Sequence, residues 1–177
     1  MAHQAIILAG MQDTALEKLL ARLDETGEEG IATREFIASR RVKVGLRKQP
    51  TGARWTPFGH IELNPSQMRN EQYALSLVVH EVRHLKQGIL RALSVQGELE
   101  AWQAQFAYLR AQRGKYADSP DSEALIDDLM QLSPHDRADL QRARILMRKI
   151  AGEEYHINWL PLFPLGREML FLVTGRK

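Results

Sequence analysis

The segment from Leu77 to Leu85 reads LVVHEVRHL and places two histidines four residues apart within an apolar stretch. Residues i and i+4 lie on the same face of a helix, one turn apart. The spacing therefore predicts that His80 and His84 direct two imidazole nitrogens at one point about 2 Å from each, as two ligands of a metal do. Glu81 follows the first histidine, rotated by about 100° around the helix. From there its carboxylate can reach a metal-bound water without itself binding the metal.

The chain contains no cysteine and six histidines among its 177 residues. The absence of cysteine excludes a disulfide scaffold, a cysteine-ligated zinc finger, an iron–sulfur cluster and a thiol nucleophile. A metal site in this protein must therefore use His, Asp or Glu. A zinc ion held by protein side chains requires at least a third ligand besides the two histidines.

The next predicted helix offers two carboxylates as the third ligand, Glu98 and Glu100. The two positions are separated by about 200° around a helix, so only one of them can face the metal. Small residues share a face with each glutamate and permit close approach to the metal-binding helix. The helical period alone does not decide which of the two glutamates is the third ligand.

A His-Glu-x-x-His helix followed by a second helix that bears a glutamate resembles the gluzincin branch of the zincin-type zinc metallopeptidases. In that branch the ligand glutamate often precedes an alanine by three residues, which here selects Glu98 with Ala101. Many relatives carry an acidic or amide residue after the alanine, whereas this chain has Trp102, and Glu100 therefore stays an alternative ligand. The resemblance covers residues 73–110, under a quarter of the chain.

The resemblance implies a peptidase that hydrolyses peptide bonds. His80, His84 and Glu98 would hold Zn²⁺ and leave one position for a water, whose pKa the metal lowers towards about 7. Glu81 would accept the proton of that water as general base and pass it to the leaving amine. A peptide would lie antiparallel to the strand His60–Leu63, because zincins place an edge strand along the cleft.

Two polar residues of the apolar tail, Tyr155 and His156, are candidates for the further donor that an oxyanion needs. Their alternative interpretation is a hydrogen-bonded tyrosine and a surface histidine. Arg83, inside the motif, is expected to make a structural salt bridge, with the surroundings of Glu81 or a substrate carboxylate as alternative partners.

The patterning predicts an α+β fold, mostly helical, with a small antiparallel sheet before the metal-binding helix and a single zincin-like domain over residues 1–177. The sheet is expected from three short alternating segments with turn residues between them, Val42–Leu46, Ala53–Thr56 and His60–Leu63. Helices are expected at Thr14–Glu25, Thr33–Arg40, Arg69–Gln87, Ser94–Arg113, Ser122–Gln131 and from Ser133 to Ala151.

Charge and hydropathy restrict the partners. The net charge is +2, and basic residues are concentrated in Arg34–Arg54 and Arg137–Lys149. Such stretches can bind nucleic acid, but no nucleic-acid motif accompanies them, so a peptide or protein is the expected partner. No apolar run approaches the roughly 18–20 residues that span a bilayer, and we expect a cytoplasmic protein. The oligomeric state is left open.

A second functional hypothesis is a non-catalytic or regulatory zincin-like protein that binds metal and a partner protein. It rests on the length of the chain, which is short for a digestive peptidase with a substrate-binding lobe.

Overall fold

A computed structural model describes residues 14–152 and 156–174. The chain packs as two compact units, of which the first ends at Val82 and the second begins at Arg83. The boundary falls inside the helix that carries the His-Glu-x-x-His motif. The single domain predicted from the length of the chain stays a prediction.

The first helix of the described chain, α1, covers residues 14–21, and a 3-10 turn, Arg22–Glu25, continues it. Its buried side chains repeat at intervals of three and four residues, as expected for one helical face. They are Leu16, Leu19, Leu20 and Leu23. The helix predicted over Thr14–Glu25 is confirmed, with its last turn tightened to 3-10 geometry.

Helix α2 (Gly27–Arg40) begins well before Thr33, where the sequence predicts its start. The polar, glycine-containing segment Glu25–Gly30 predicts a break, but the structure is helical from Gly27 onward. A Cβ on Gly30 would lie only 2.5 Å from the carbonyl oxygen of Leu23. The missing side chain therefore lets α2 pack against the preceding turn, a tertiary contact that local composition does not reveal.

Three strands form one sheet, β1 (Lys43–Leu46), β2 (Ala53–Thr56) and β3 (His60–Leu63), in the order β1-β3-β2. β2 pairs with β3 antiparallel, but β1 pairs with β3 parallel. The prediction of an antiparallel sheet is therefore wrong in this respect, and the sheet is mixed. Residues 47–59 separate β1 from β3, and a connection of about a dozen residues is long enough for parallel pairing.

The central position of β3 also corrects the predicted substrate edge. All four residues of β3 pair with β1 on one side and with β2 on the other. Its side chains Ile61 and Leu63 are fully buried, which explains why this strand is the middle one. Because both sides of β3 are already paired, a peptide cannot add to His60–Leu63, and β1 and β2 are the edges.

A carboxylate on the central strand bridges the two edges of the sheet. Glu62 accepts hydrogen bonds from Arg47 Nη1 at 3.0 Å and from Arg54 Nε at 2.5 Å. The hydrogen bond from Arg54, followed by that from Arg47, lowers the pKa of Glu62 below its ordinary value. The charged carboxylate thus connects β2, β3 and the end of β1.

Helix α3 (Glu71–Gln87) follows a 3-10 turn, Pro65–Arg69, and confirms the long helix predicted there. Every residue from 74 to 82 is buried, as its apolar sequence predicts. Gly88 ends the helix with a φ of 75°, a conformation that glycine adopts without strain.

In the described part of the second unit there are five further helices. They are α4 (Ile89–Ala92), α5 (Val95–Arg113), α6 (Pro120–Met130), α7 (Arg137–Ala151) and α8 (Leu165–Thr174), with a 3-10 turn at His156–Trp159 before α8. The sequence predicts neither α4, which is a single turn, nor α8. It also places the start of α7 at Ser133, whereas the structure has Asp136 as the cap, accepting from the Asp139 N–H at 2.9 Å.

The core of the second unit lies where α5, α6 and α7 meet the chain that leads to α8. Its buried members are Val95, Leu99, Trp102, Phe106, Leu109, Tyr116, Ile126, Leu129, Leu132, Leu140, Ala143, Leu146, Met147, Ile157, Leu162 and Phe163. Within it Trp102 meets Phe106 edge-on, with ring centroids 5.5 Å apart. Among the described residues, no helix is both long and apolar enough to cross a membrane.

Candidate metal centre

The two histidines of the motif lie on the buried part of α3. His80 is 8% exposed and His84 is 2% exposed. Imidazoles are rarely buried to this degree without a partner for their polar nitrogens. Since α3 is continuous from Glu71 to Gln87, the two rings stand one turn apart on one helical face, as predicted.

A carboxylate from α5 completes a group of three. His80, His84 and Glu98 each offer a ligand atom, and these atoms all lie within 4.8 Å of one another. Within the group, the Nε2 atom of His84 is 3.4 Å from Oε1 of Glu98. The Glu98 side chain is only 14% exposed. Two imidazoles and a carboxylate thus converge from two helices.

The observed spacing fits a metal ion of the size of zinc. Two ligand atoms bound tetrahedrally at about 2.0–2.1 Å from one ion lie about 3.3 Å apart. The distance between His84 and Glu98 matches this value. The donor set of two nitrogens and one oxygen is also the set found in catalytic zinc sites. The residues present therefore fit a zinc ion.

Glu98 is held in place by the tight turn from α4 into α5. Ser94 caps α5 by accepting from the Gly97 N–H at 3.1 Å, and its own hydroxyl donates to the Arg91 carbonyl oxygen at 2.6 Å. A Cβ on Gly97 would lie 2.0 Å from that same carbonyl oxygen. Only glycine permits this approach, which sets the position of the first turn of α5 and of Glu98 on it.

A glutamine at the end of α3 connects the two helices. Gln87 Oε1 lies 3.2 Å from Nδ1 of His84. Gln87 Nε2 donates to the Gly97 carbonyl oxygen at 2.9 Å and to Oε2 of Glu100 at 3.0 Å. Gln87 was not among the site residues predicted from the sequence, although its place three residues after His84, on a neighbouring helical face, is a usable signal.

The alternative ligand, Glu100, occupies a different environment. It accepts from Arg91 Nη2, from Arg83 Nη2 at 3.5 Å and from Gln87. It does not belong to the group of three ligand atoms found among the described residues. The structural salt bridge predicted for Arg83 is confirmed, and its partner is Glu100.

Glu81, Tyr155 and His156 are the other site residues that the sequence predicts. Glu81 is buried, with 6% of its surface exposed, next to His80. A buried carboxylate is uncommon and costly unless it serves a local partner or a function. His60 is exposed at the start of β3 and is not part of the group. Tyr155 and the side chain of His156 lie outside the described part of the chain.

No protein-family model matches the chain, and comparison with curated proteins and with solved structures also finds no match. The functional interpretation therefore rests on the geometry of the site and on the motif.

Proposed function

We propose that this protein is a zinc-dependent metallopeptidase, in which His80, His84 and Glu98 hold the metal. One observation carries the proposal: a carboxylate from α5 meets the two histidines of a His-Glu-x-x-His helix, with all ligand atoms within 4.8 Å. The motif by itself predicts only two ligands. The third one, on a separate helix and largely buried, is what a catalytic zinc site requires.

The side chains favour zinc among the common metals. Two imidazoles with one carboxylate suit zinc, whereas calcium and magnesium prefer oxygen ligands throughout. Three protein ligands leave a fourth position open. When bound, the ion supplies an acidified water and polarises a peptide carbonyl.

Within this proposal Glu81 moves the proton. It follows His80 directly, so its carboxylate leaves the helix about 100° away from the ligand face. A carboxylate there accepts the proton of the attacking water and then donates it to the nitrogen of the leaving amine. Its low exposure keeps bulk water away from the group during this transfer.

The experiment compares zinc content and peptide cleavage in Glu81→Gln and in a matched variant. Glu71→Gln, at the exposed start of the same helix, is the control for a glutamate-to-glutamine change in α3. Zinc content is measured by elemental analysis after dialysis, and cleavage with a library of internally quenched peptides. We expect both variants to retain zinc, and Glu81→Gln alone to lose hydrolysis.

Three results would contradict the peptidase proposal or a part of it. A Glu81→Gln variant as active as the wild type would exclude this residue as the base. Wild-type protein that binds zinc stoichiometrically but cleaves no member of the library would instead support the second hypothesis, a metal-binding protein that recognises a partner protein. Wild-type protein without affinity for zinc would remove the site altogether.

A further inference from the structure

We propose that Gln87 is a positioning residue that selects the tautomer of His84. It does so because Glu100 and the Gly97 carbonyl hold its amide in one orientation. The inference concerns a residue outside the His-Glu-x-x-His motif and outside the three ligands. It rests on the proposed metal site only for its affinity readout, since the tautomer can be observed without metal.

The orientation of the Gln87 amide follows from the partners of its nitrogen. Nε2 lies within hydrogen-bonding distance of two oxygens, the Gly97 carbonyl at 2.9 Å and Glu100 Oε2 at 3.0 Å. The Gly97 carbonyl oxygen can only accept a hydrogen bond, so this contact by itself places the amide nitrogen, and not the oxygen, on that side. Rotating the amide by 180° would place Oε1 against both acceptors and lose both hydrogen bonds. The observed orientation is therefore strongly preferred.

With Nε2 directed at these two acceptors, Oε1 is the atom of Gln87 that faces His84. It lies 3.2 Å from Nδ1 of the ring. An amide oxygen only accepts hydrogen bonds, so Nδ1 of His84 must carry the proton. In a neutral imidazole the other nitrogen, Nε2, then holds the lone pair. This is the nitrogen that lies 3.4 Å from Glu98, on the side of the proposed metal.

Glu100 can fill this role because two arginines hold its carboxylate. Arg83 and Arg91 both contact it, one from α3 and one from α4. The Glu100 side chain itself is 7% exposed. Its two arginine contacts hold the Glu100 carboxylate beside Gln87, where Oε2 accepts the hydrogen bond from Nε2. The second glutamate of α5 thus acts on the site through Gln87 and not as a ligand.

The test reads the tautomer of His84 directly. In metal-free protein labelled with ¹⁵N-histidine, at about pH 8 where an ordinary imidazole is neutral, long-range ¹H–¹⁵N spectra distinguish the two tautomers. The His84 signals are assigned by comparison with His84→Gln. We expect Nδ1–H in the wild type, and a loss of this preference in Gln87→Leu. Zinc affinity, measured by chelator competition, should fall about 10–100-fold in Gln87→Leu.

Two further variants separate positioning from a merely structural role. In the exchange variant Gln87→Glu with Glu100→Gln, residue 87 still accepts from His84 and can accept from residue 100, and the net charge is conserved, but the hydrogen bond to the Gly97 carbonyl oxygen is lost. Because a carboxylate oxygen still faces Nδ1 of His84, this variant should keep the Nδ1–H tautomer and lose less zinc affinity than Gln87→Leu. Gln72→Leu, near the start of α3, is the control for the same substitution elsewhere on the helix and should change neither readout.

Several outcomes would overturn the inference. One is an Nε2–H tautomer of His84 in the wild type. Another is a Gln87→Leu variant that folds but keeps both the tautomer and the zinc affinity. If Gln87→Leu does not fold, the exchange variant decides, because loss of the Nδ1–H tautomer there contradicts the proposed role of the acceptor. A wild type with the expected tautomer but no zinc affinity would contradict the proposed function and leave the tautomer selection standing.

Discussion

The Nε2 atom of His84 lies 3.4 Å from Oε1 of Glu98, although the two residues belong to different helices. Two positions further along α5, Glu100 contacts Arg83 and Arg91 instead. Two glutamates on one helix thus have separate environments. One contributes to a group of possible metal ligands, and the other anchors the residues around that group.

Because the two glutamates have separate environments, the same substitution should affect zinc affinity at position 98 and stability at position 100. Glu98→Gln should weaken zinc binding by more than the roughly 10–100-fold loss that is typical when a residue hydrogen-bonded to a metal ligand is mutated. The free energy of unfolding should change little. Glu100→Gln should lower the free energy of unfolding by about 1–2 kcal/mol. The expected loss is small because both arginines are partly exposed, so water screens their ion pairs. Zinc affinity should change less than tenfold. Chelator competition and urea unfolding measure the two effects. Equal losses of zinc affinity in both variants would contradict the assignment.

The close approach at Gly97 predicts a second effect. In Gly97→Ala the new Cβ would lie 2.0 Å from the Arg91 carbonyl oxygen, so the backbone of the turn between α4 and α5 must shift. We expect a loss of about 2–3 kcal/mol, measured by urea unfolding. Gly166→Ala is the control, because a Cβ there meets no atom within 4 Å in helix α8. It should leave stability unchanged or raise it by up to about 1 kcal/mol. A Gly97→Ala variant as stable as the wild type would show that the turn adapts freely.

Metal binding should itself stabilise the protein. A ligand that binds only the folded state at 100 times its dissociation constant adds about 2.7 kcal/mol of stability. Zinc should therefore raise the melting temperature of the wild type, and excess EDTA should reverse the increase. The Glu98→Gln variant is the control and should show a much smaller shift. A wild-type melting temperature that does not respond to zinc would argue against a site at His80, His84 and Glu98.

The sheet predicts a pH dependence of stability. Hydrogen bonds from Arg54 and Arg47 lower the pKa of Glu62 below the ordinary value of 4.5. A lowered carboxyl pKa stabilises the folded state above the unfolded value, and this contribution disappears as the pH falls through the folded pKa. Glu62→Gln should therefore melt at a lower temperature than the wild type at pH 7, and the difference should shrink below about pH 4. A difference that stays constant with pH would contradict this role.

Local patterns predicted most of the elements that surround the site. Three short-range features appear where the sequence predicts them. They are the run of apolar residues in α3, the helical segment from Ser94 to Arg113 that contains α5, and the alternation in β2 and β3. The α+β class with a small sheet before α3 follows from the same patterns. These elements depend on neighbours within a few residues, so a single chain reveals them.

The order and direction of the strands could not be predicted from the sequence in the same way. The alternation in β1 is compatible with parallel or antiparallel pairing, and only the path of residues 47–59 makes β1 parallel to β3. The burial of Ile61 and Leu63 then places β3 in the centre, which removes the predicted edge for a peptide. Pairing partners are chosen by long-range packing, and a strand of four residues carries little information about them.

The sequence by itself determined two of the proposed ligands, His80 and His84, and the adjacent Glu81, because their spacing within one helix fixes their relative positions. Helical period could not distinguish Glu98 from Glu100, since either rotation of α5 about its axis was compatible with its pattern. The tertiary structure decided between their environments. The close contact at Gly97 and the ion pairs of Glu100 set that rotation, which brings Glu98 to His84 and makes Gln87 the link between the two helices.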